Sequence, residues 1–579
     1  MSRETSDRSV GGEEPRKPLH SLPRYSEPTP ETHRKLSRET EAELALKHTV
    51  FTHGSRWLLI ALFLITITAV PTLQLVAELR APRPSGGLAT FDIYKVLPSW
   101  AKIRTVRKPS HLWRLLPLAA DLKAAEKAIE RESVVSAWLL PRVQVLLSGK
   151  LGAGNEQVYL GRDGWLFYRP DVEYVTGPPV LDPLQMRHRN GVQPDPIKAI
   201  VGFRNQLAAR GIELIIVPLP VKPGIEANKL SADAAGRSPL HNASFAEFKA
   251  RLEKAGVRIF DPVPSLLEGN ADAPRYLQTD THWRPETMER VAENLAALIQ
   301  PSTSTGHATL QVTQKEITAP LGDLARMLKL PPAQNLWPPE KVTIHEVLSG
   351  NELWHPSKEA DILLLGDSFS NIFSLESAGW GVSAGFAEHL SRALGGRPLD
   401  CILRNGEGAN ATRQILSSDL ARGHDRLAGK KLVIWEFVER ELAIGDWKLL
   451  EMKLGEPPLA RFYVPKANEE VVVSGTVEAV STVPRAGTVP YKDHILALHL
   501  TDLTVQGGRQ EEHLEALVYL WSMRDNQLTP AANLRQGDHI NLRLRAWADV
   551  AEQYEKINRS EVEDPSVQLQ EPCWGEIAQ

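Results

Sequence analysis

One serine of this chain lies in surroundings suited to nucleophilic catalysis. Ser368 stands in Gly366-Asp367-Ser368-Phe369-Ser370, directly after the apolar run 361–365. A buried strand that ends in such a turn presents a hydroxyl at the carboxyl edge of an α/β sheet, where ligand crevices form. Ser368 is therefore a candidate nucleophile. We expect its neighbour Asp367 to bond local backbone groups and shape the turn.

A serine hydroxyl needs a base that a third group holds in place. Asp280 and His282 stand upstream, in Thr279-Asp280-Thr281-His282-Trp283. In an extended segment, residues two apart lie on the same side, so Asp280 can fix the imidazole tautomer of His282. The catalytic order along the chain would be Asp280, His282, Ser368. Each half alone is weak evidence, because both short patterns are common by chance.

Other side chains are candidates for binding an oxyanion or a substrate. The loop 404–410 follows a predicted strand and is rich in Gly and Asn. It can supply backbone and amide donors, with Asn405 as the first choice and Asn410 as the second, against a plain turn role. Arg413 and Arg440 can bind sugar carboxylates bidentately, although ordinary salt bridges are the favoured interpretation.

Composition excludes several classes of protein. A net charge of -4 over 579 residues gives no reason to expect a nucleic-acid partner. The two cysteines, Cys401 and Cys573, form neither a disulfide framework nor a metal-ligand cluster. We expect no metal and no cofactor. The length predicts two or three domains plus tails.

The amino-terminal part of the chain predicts a membrane anchor. Residues 1–56 are polar and charged without apolar periodicity and are predicted to be disordered. Residues 57–77 are uncharged and apolar, and at about 1.5 Å per residue they can cross the roughly 30 Å hydrocarbon core of a bilayer. Basic residues lie on both sides of this span, so charge does not decide its orientation. Residues 78–150 are predicted to form a helical stalk or a segment that packs on the domain.

Residues 151–463 predict an α/β domain. Apolar strand segments alternate with helices, which indicates a mainly parallel sheet covered by helices on both faces. The predicted strands are 212–218, 257–261, 361–365, 399–403 and 431–437. The loop-rich stretch 301–356 is interpreted as an insertion or cap.

The carboxyl-terminal part has a different pattern. Strand-like segments without long helices between them predict a small antiparallel β-barrel, OB-like in outline, at 464–551. Residues 552–579 are interpreted as a tail.

Five motifs, in this order and spacing, resemble the alginate O-acetylation family of AlgJ- and AlgX-type proteins. The resemblance spans roughly residues 157–442. The motifs are Gly161-Arg162-Asp163-Gly164-Trp165-Leu166-Phe167-Tyr168, Val217-Pro218-Leu219-Pro220-Val221-Lys222-Pro223, Asp280-Thr281-His282-Trp283, Gly366-Asp367-Ser368-Phe369-Ser370 and Trp435-Glu436-Phe437-Val438-Glu439-Arg440.

The resemblance implies a fold, an activity and a location. It implies an SGNH-hydrolase-like domain that O-acetylates an exopolysaccharide through an acetyl-serine, with Ser368, His282 and Asp280 at the triad positions. It also implies a single-pass protein of the bacterial inner membrane, with its amino terminus in the cytoplasm and its bulk in the periplasm. The implied partners are a polysaccharide acceptor and a membrane-bound acyltransferase that supplies acetyl.

Two other classes of function use the same sequence features. A carbohydrate esterase would use the same three residues to remove acetyl groups. A noncatalytic assembly factor could keep the fold as a binding module. The intact set of Asp280, His282 and Ser368 counts against the second alternative, because a binding module does not need all three.

Overall fold

The computed structural model describes residues 52–80 and 133–579, apart from short gaps at 188, 190–191, 271–272, 300–308, 319–320, 332–333, 407, 456–461, 485, 487–488, 490, 507–513, 563 and 579. The predicted disordered tail, apart from residues 52–56, and most of the predicted stalk lie outside the described residues.

The strands are named in chain order. They are β1 (Val158–Leu160), β2 (Leu166–Tyr168), β3 (Glu213–Leu219), β4 (Arg258–Ile259), β5 (Leu310–Thr318), β6 (Lys341–Ser349), β7 (Glu352–Leu353), β8 (Ile362–Gly366), β9 (Asp400–Leu403), β10 (Leu432–Val438), β11 (Val471–Val480), β12 (His494–Val505), β13 (Ala516–Arg524), β14 (Gln527–Leu528), β15 (His539–Ala546), β16 (Asn558–Ser560) and β17 (Pro572–Ile577).

The helices are named in the same way. They are α1 (His53–Arg80), α2 (Val134–Lys150), α3 (Arg169–Thr176), α4 (Pro183–Arg187), α5 (Pro196–Ala208), α6 (Lys222–Ile225), α7 (Ala227–Leu230), α8 (Phe245–Lys254), α9 (Val263–Leu267), α10 (Pro285–Ile299), α11 (Asp323–Met327), α12 (Ser368–Asn371), α13 (Phe386–Ala393), α14 (Ala411–Ala421), α15 (Glu441–Ile444), α16 (Ala551–Tyr554) and α17 (Pro565–Gln568).

The chain divides into two units, residues 1–135 and 136–579. In the first unit, α1 includes a 22-residue stretch, His53–Gln74, that is long and apolar enough to cross a membrane. Its mean hydropathy is 1.9, and none of it is buried inside the protein. Among the described residues it is the single candidate span.

The second unit contains a five-stranded sheet of order β4-β3-β10-β8-β9. All four pairings in it are parallel. Every residue of β8, β9 and β10 is buried, which requires cover on both faces of the sheet. The parallel sheet expected from the sequence is therefore present, and each of its strands overlaps a predicted segment.

Local signals explain how the helices of this domain begin and end. At the start of α5, Asp195 accepts a 3.1 Å hydrogen bond from the Lys198 N–H, and Pro196 occupies the first turn. Both features stabilise a helix start. After the helix, Gly211 has a φ of 73°. This left-handed conformation, which favours glycine, ends the helix where the sequence predicted.

Parallel pairing brings the carboxyl ends of the strands to one edge of the sheet. Leu219 pairs with Val438, and Gly366 pairs with Leu403. The residues that follow β3, β8, β9 and β10 are thus neighbours, although the sequence separates them widely. This edge is where an open α/β sheet forms its crevice.

The stretch 301–356 is more regular than the sequence indicated. Its described part forms an antiparallel sheet of β5, β6 and β7 together with α11. The expectation that this stretch is loop-rich was therefore wrong, because the two long strands pair with each other over nine residues each. Its interpretation as an insertion or cap stays a prediction. Helix α11 contributes a side chain to the candidate site described below.

The carboxyl-terminal strands close into a barrel of β11, β12, β13, β17 and β15. The predicted small barrel is thus confirmed, but it is not wholly antiparallel, because β13 and β17 pair in parallel. Its expected boundary was also wrong. Strand β17 lies in the stretch 552–579, interpreted above as a tail, and pairs with both β13 and β15. Within it, Cys573 and Trp574 are fully buried. The barrel cannot close without this last strand.

The barrel region contacts the parallel-sheet domain through polar groups. Arg426 Nη1 lies 2.7 Å from Glu555 Oε1, and the Asn558 amide donates to the backbone carbonyl of Asn405. The second contact joins β16 to the loop after β9. The two domains are therefore connected beside the sheet's carboxyl edge.

Candidate active site

The turn after β8 presents Ser368 at the carboxyl edge of the sheet. Asp367 Oδ1 accepts a 2.8 Å hydrogen bond from the Phe369 N–H, and its Oδ2 accepts one of 3.2 Å from the Val438 N–H. Asp367 therefore fixes the turn and links it to β10, as expected from the sequence. Ser368 itself is half-buried and remains open to solvent.

A buried glutamate on β10 accepts two hydrogen bonds from this turn. Glu436 Oε2, on β10, accepts hydrogen bonds from the Asp367 N–H at 3.0 Å and the Ser370 hydroxyl at 2.7 Å. Burial, and then the charge of Asp367, raise the pKa of Glu436 well above its ordinary value. A Cβ at Gly366 would lie 2.5 Å from Ser370 Oγ, so only glycine permits this close packing.

Three side chains form a continuous hydrogen-bonded chain at the edge of the sheet. His282 Nε2 lies 2.8 Å from Ser368 Oγ, and His282 Nδ1 lies 2.5 Å from Asp280 Oδ1. An ionised carboxylate only accepts, so Nδ1–H donates to Asp280 and the Nε2 lone pair is directed at the serine hydroxyl. The structure thus brings together the three residues that the sequence singled out.

The pairing of Asp280 with His282 arises in a turn, where the sequence analysis assumed an extended segment. The segment turns back on itself: Tyr276 bridges to Trp283, and the Leu277 N–H donates to the His282 carbonyl at 3.0 Å. Asp280 Oδ1 also accepts the His282 N–H at 3.1 Å. A short polar side chain that bonds the backbone two residues on is typical of such turns.

Asp323, on α11, completes the surroundings of Asp280. Its N–H donates to Asp280 Oδ2 at 2.9 Å. Its own carboxylate accepts the Thr281 N–H at 2.8 Å and the Thr281 hydroxyl at 2.6 Å. Burial, and then the neighbouring charge of Asp280, raise the pKa of Asp323 to about 6.

Lys222 holds the same turn from the side of β3. It is fully buried, and its Nζ donates to the carbonyls of Gln278 and Asp280 at 2.9 Å each. The ammonium lies 5.0 Å from the ring centroid of Trp165, within cation–π range. Burial lowers the pKa of Lys222 to about 8, against the opposing charge of Asp280.

Asp280 and His282 each stabilise the charged form of the other. Burial alone would raise the pKa of Asp280, but the charge of His282 and its hydrogen bond outweigh burial and hold this pKa below its ordinary value. Burial alone would lower the pKa of His282, but Asp280 outweighs it and raises this pKa. This is the polarity required of an aspartate that orients a histidine base.

Asp280, His282 and Asp323 could also be considered as metal ligands, because their donor atoms lie within 4.8 Å of one another. Each donor atom already has a hydrogen-bond partner. Asp280 bonds His282 and the Asp323 N–H, Asp323 bonds Thr281, and His282 bonds Ser368. The arrangement therefore fits a base aligned with a nucleophile better than a metal centre.

The loop after β9 places Asn405 beside the nucleophile's helix. The Arg404 N–H donates to the Gly366 carbonyl at 3.0 Å, which extends the strand pairing to the turn. The Asn371 amide, in the short helix that begins at Ser368, donates to Asn405 Oδ1 at 3.3 Å. Asn405 thus contacts the short helix that begins at Ser368, and its oxyanion role stays a prediction.

Two predicted substrate contacts lie elsewhere. Asn410 lines a cleft of about 330 Å³ with Gln414 and Lys448, between the sheet domain and the barrel. Arg413 is 1% exposed, with its guanidinium 4.6 Å from the ring centroid of Trp435. Burial lowers the pKa of Arg413 to about 10. The expected sugar contact of Arg413 was therefore wrong, because its charged group packs inside the domain.

Arg440 has the salt bridge that the sequence analysis weighed against sugar binding. Its Nη1 lies 3.0 Å from Asp171 Oδ1, and its guanidinium lies 5.4 Å from the ring centroid of Tyr168. Burial raises the pKa of Asp171, and Arg440 partly offsets this, with smaller contributions from Lys222 and His282. Arg440 and Asp171 therefore belong to the same group of interacting charges as the base, His282.

Sequence reasoning assigned no role to three residues that support this site. Lys222 and Glu436 did carry a signal, because each is a charged residue inside or just after an apolar strand, where a charge has to be paired or neutralised. Asp323 had no local signal. It lies on a helix in the stretch interpreted as a loop-rich cap, and only the tertiary fold brings it to Asp280.

Comparison with known proteins defines the class of this domain. Residues 158–439 match the family model described as the SGNH hydrolase-like domain, acetyltransferase AlgX. This range contains the turn of Asp280, the turn of Ser368 and all five strands of the parallel sheet. The resemblance to the alginate O-acetylation family is confirmed.

Several relatives are named as AlgJ proteins. The chain is 29% identical over 338 residues to the probable alginate O-acetylase AlgJ of Pseudomonas putida, which covers 55% of this chain and 79% of that protein. It is 26% identical over 314 residues to the protein of the same name from Pseudomonas aeruginosa, covering 51% and 72%. The solved O-acetyltransferase domain of P. putida AlgJ matches with 23% identity and a TM-score of 0.38, over 50% of this chain and 92% of that one.

Proposed function

We propose that this protein is an O-acetyltransferase that moves acetyl groups to hydroxyls of an alginate-like exopolysaccharide through an acetyl-serine. One observation carries the proposal: His282 Nε2 lies 2.8 Å from Ser368 Oγ, while Asp280 holds the opposite ring nitrogen at 2.5 Å. This is hydrogen-bond reach for a nucleophile, its base and an orienting acid. The similarity to proteins named probable alginate O-acetylase supports the acetyl group and the acceptor class.

In the first half-reaction Ser368 takes the acetyl group. Its Oγ attacks the carbonyl carbon of an acetyl donor while its proton passes to His282 Nε2. The bond between the acetyl carbon and the donor's leaving group breaks, and the leaving group receives that proton. Negative charge develops on the carbonyl oxygen, where the Ser368 N–H and the Asn405 side chain would be the donors.

In the second half-reaction a sugar hydroxyl attacks the acetyl-serine. The same His282, now neutral again, takes the hydroxyl proton and returns it to Ser368 Oγ as the acyl bond breaks. Asp280 stabilises the imidazolium that forms in both steps. Transfer to sugar in place of water requires an acceptor held close to the acyl group.

The candidate membrane span and the relatives support a proposed location and proposed partners. We infer that α1 anchors the chain in the bacterial inner membrane, with the sheet domain and barrel in the periplasm. The apolar His53–Gln74 stretch supports the anchor. The acetyl donor would then be presented at the membrane by a membrane-bound acyltransferase, and the acceptor would be the exported polymer.

The test is a transfer assay with the full-length protein in detergent. A chromogenic acetyl ester is supplied with and without polyuronate oligosaccharides, and acetylated sugar and free acetate are both quantified. We expect acetyl esters on the oligosaccharide, and their loss in Ser368→Ala. Release of acetate alone, at a rate independent of every acceptor, would assign the protein to the esterases.

A further inference from the structure

Helix α2 exposes a large apolar surface. Its sequence, VVSAWLLPRVQVLLSGK, is apolar over most of its length. The exposed apolar side chains along it and just after it are Val134, Trp138, Leu139, Leu140, Val143, Leu146 and Leu151. Trp138 is 59% exposed and Leu146 is 50% exposed. Burial of such large apolar side chains stabilises a protein, so their exposure to water is unfavourable. A contiguous patch of this kind marks a contact surface.

The side chains that α2 buries are polar. Gln144 and Ser148 are buried against the loop that follows the helix, and Gln144 Nε2 donates to Ser148 Oγ at 2.8 Å and to the Gly154 carbonyl at 3.2 Å. Ser148 Oγ donates to the Ala153 carbonyl at 3.1 Å. An ordinary surface helix buries its apolar face and exposes its polar face. Helix α2 does the reverse.

The charges of α2 are all of one sign. The helix contains Arg142 and Lys150 and no acidic residue. The Arg142 guanidinium lies 4.3 Å from the ring centroid of Trp138. Tryptophan beside basic residues on an apolar helix is typical of segments that lie in the interface of a bilayer with anionic lipids.

The pattern favours lipid over a protein groove. Trp138, Leu139 and Leu140 are consecutive, so the exposed apolar surface, on the side away from the buried Gln144 and Ser148, is wider than one stripe. In a helix that docks in a protein groove, the apolar contact residues form one stripe, at spacings of three and four positions. At 17 residues, with Pro141 and Arg142 inside it, α2 is also too short and too polar to span a bilayer itself.

We propose that α2 is a membrane-surface helix, which inserts its apolar side chains into the headgroup region of an anionic bilayer. The candidate span in α1 precedes it in the chain and would keep it at high effective concentration near the same membrane. The end of α2 packs on the sheet domain, because a Cβ at Gly149 would lie 3.2 Å from Leu336 Cδ2. Binding of α2 would therefore hold that domain at the membrane surface.

The test uses full-length protein in vesicles of phosphatidylethanolamine and phosphatidylglycerol. Both native cysteines are buried, so a cysteine introduced as Leu146→Cys can be labelled selectively with an environment-sensitive fluorophore. Ala250→Cys, at an exposed position of the ordinary surface helix α8, is the matched control. Quenching by lipids spin-labelled in the acyl chain and by aqueous iodide is measured for each.

We expect the label at 146 to lose most of its emission with spin-labelled lipid and little with iodide, and the label at 250 to behave in the opposite way. Equal iodide quenching at both positions would overturn the proposal, since α2 would then lie in water. Protection of position 146 from both quenchers would also overturn it, in favour of a protein partner that covers the helix.

Discussion

Asp323 and Asp280, two buried carboxylates, lie against each other in the candidate site. The Asp323 N–H donates to Asp280 Oδ2 at 2.9 Å, while the Asp323 carboxylate bonds both the N–H and the hydroxyl of Thr281. Asp323 therefore contributes a backbone donor that fixes Asp280 and a second negative charge close to His282. Its effects on activity and on stability can be separated by varying pH.

The first prediction concerns the pH dependence of activity. His282 works as a base only when neutral, and its pKa is raised, so kcat/KM should increase with pH through that raised pKa. Asp323→Asn removes a negative charge that favours the imidazolium. The acid limb of the kcat/KM profile should therefore move to lower pH in this variant. An unchanged or upward-shifted limb would contradict the electrostatic role of Asp323.

The second prediction concerns stability. The pKa of Asp323 is raised from 3.8 to about 6 in the folded state. The folded protein thus binds this proton more tightly than the unfolded chain, and the resulting stabilisation is present below pH 3.8 and is lost as pH rises through about 6. Between these values, the free energy of unfolding should fall with pH more steeply in the wild type than in Asp323→Asn. Asp280 is present in both proteins, so denaturant titrations that show parallel curves would refute this.

The third prediction concerns Lys222. Lys222→Met leaves the carbonyls of Gln278 and Asp280 without their buried donor, at a cost of about 1–3 kcal/mol for each group. The turn that carries His282 should shift, and a displacement of about 1 Å can lower kcat about 10²-fold. The matched control is Lys229→Met, which removes a surface ion pair with Asp163 and should change little. Equal kcat values for the two variants would contradict the positioning role.

The fourth prediction uses two replacements of Glu436. The raised pKa favours the neutral form of Glu436, whose place a glutamine can take, since its amide oxygen can accept from the Asp367 N–H and the Ser370 hydroxyl. Glu436→Gln should keep most activity. Glu436→Leu removes both acceptors and should cost about 1–3 kcal/mol for each buried group, with loss of transfer. If glutamine is as damaging as leucine, the ionised carboxylate is the form that matters.

Much of the fold could be predicted because the signals were local. The strands 213–219, 362–366 and 432–438 are continuous apolar runs, and their burial in a parallel sheet follows from that pattern. The strand 572–577 was missed because it is short, begins with a proline and contains a glycine. Its place in the barrel is set by pairing with β13 and β15, which no local pattern reveals.

The candidate site also contains residues that local sequence patterns identify and residues that only the tertiary fold places. Ser368 and His282 were found from their neighbours in the sequence. Asp323 and the buried position of Arg413 depend on the packing of distant elements. An arginine on an amphipathic helix gives no sign of whether it faces solvent or an aromatic ring such as Trp435.

The acetyl-serine is tested most directly by mass spectrometry of the protein after brief exposure to an activated acetyl ester. We expect an acetyl group on the peptide that contains Ser368, absent in Ser368→Ala, which disappears faster when polyuronate oligosaccharide is added and reappears as an ester on the sugar. Two results would contradict the mechanism: transfer of acetyl to the sugar by the wild type without any acetylated Ser368, or transfer by the Ser368→Ala variant.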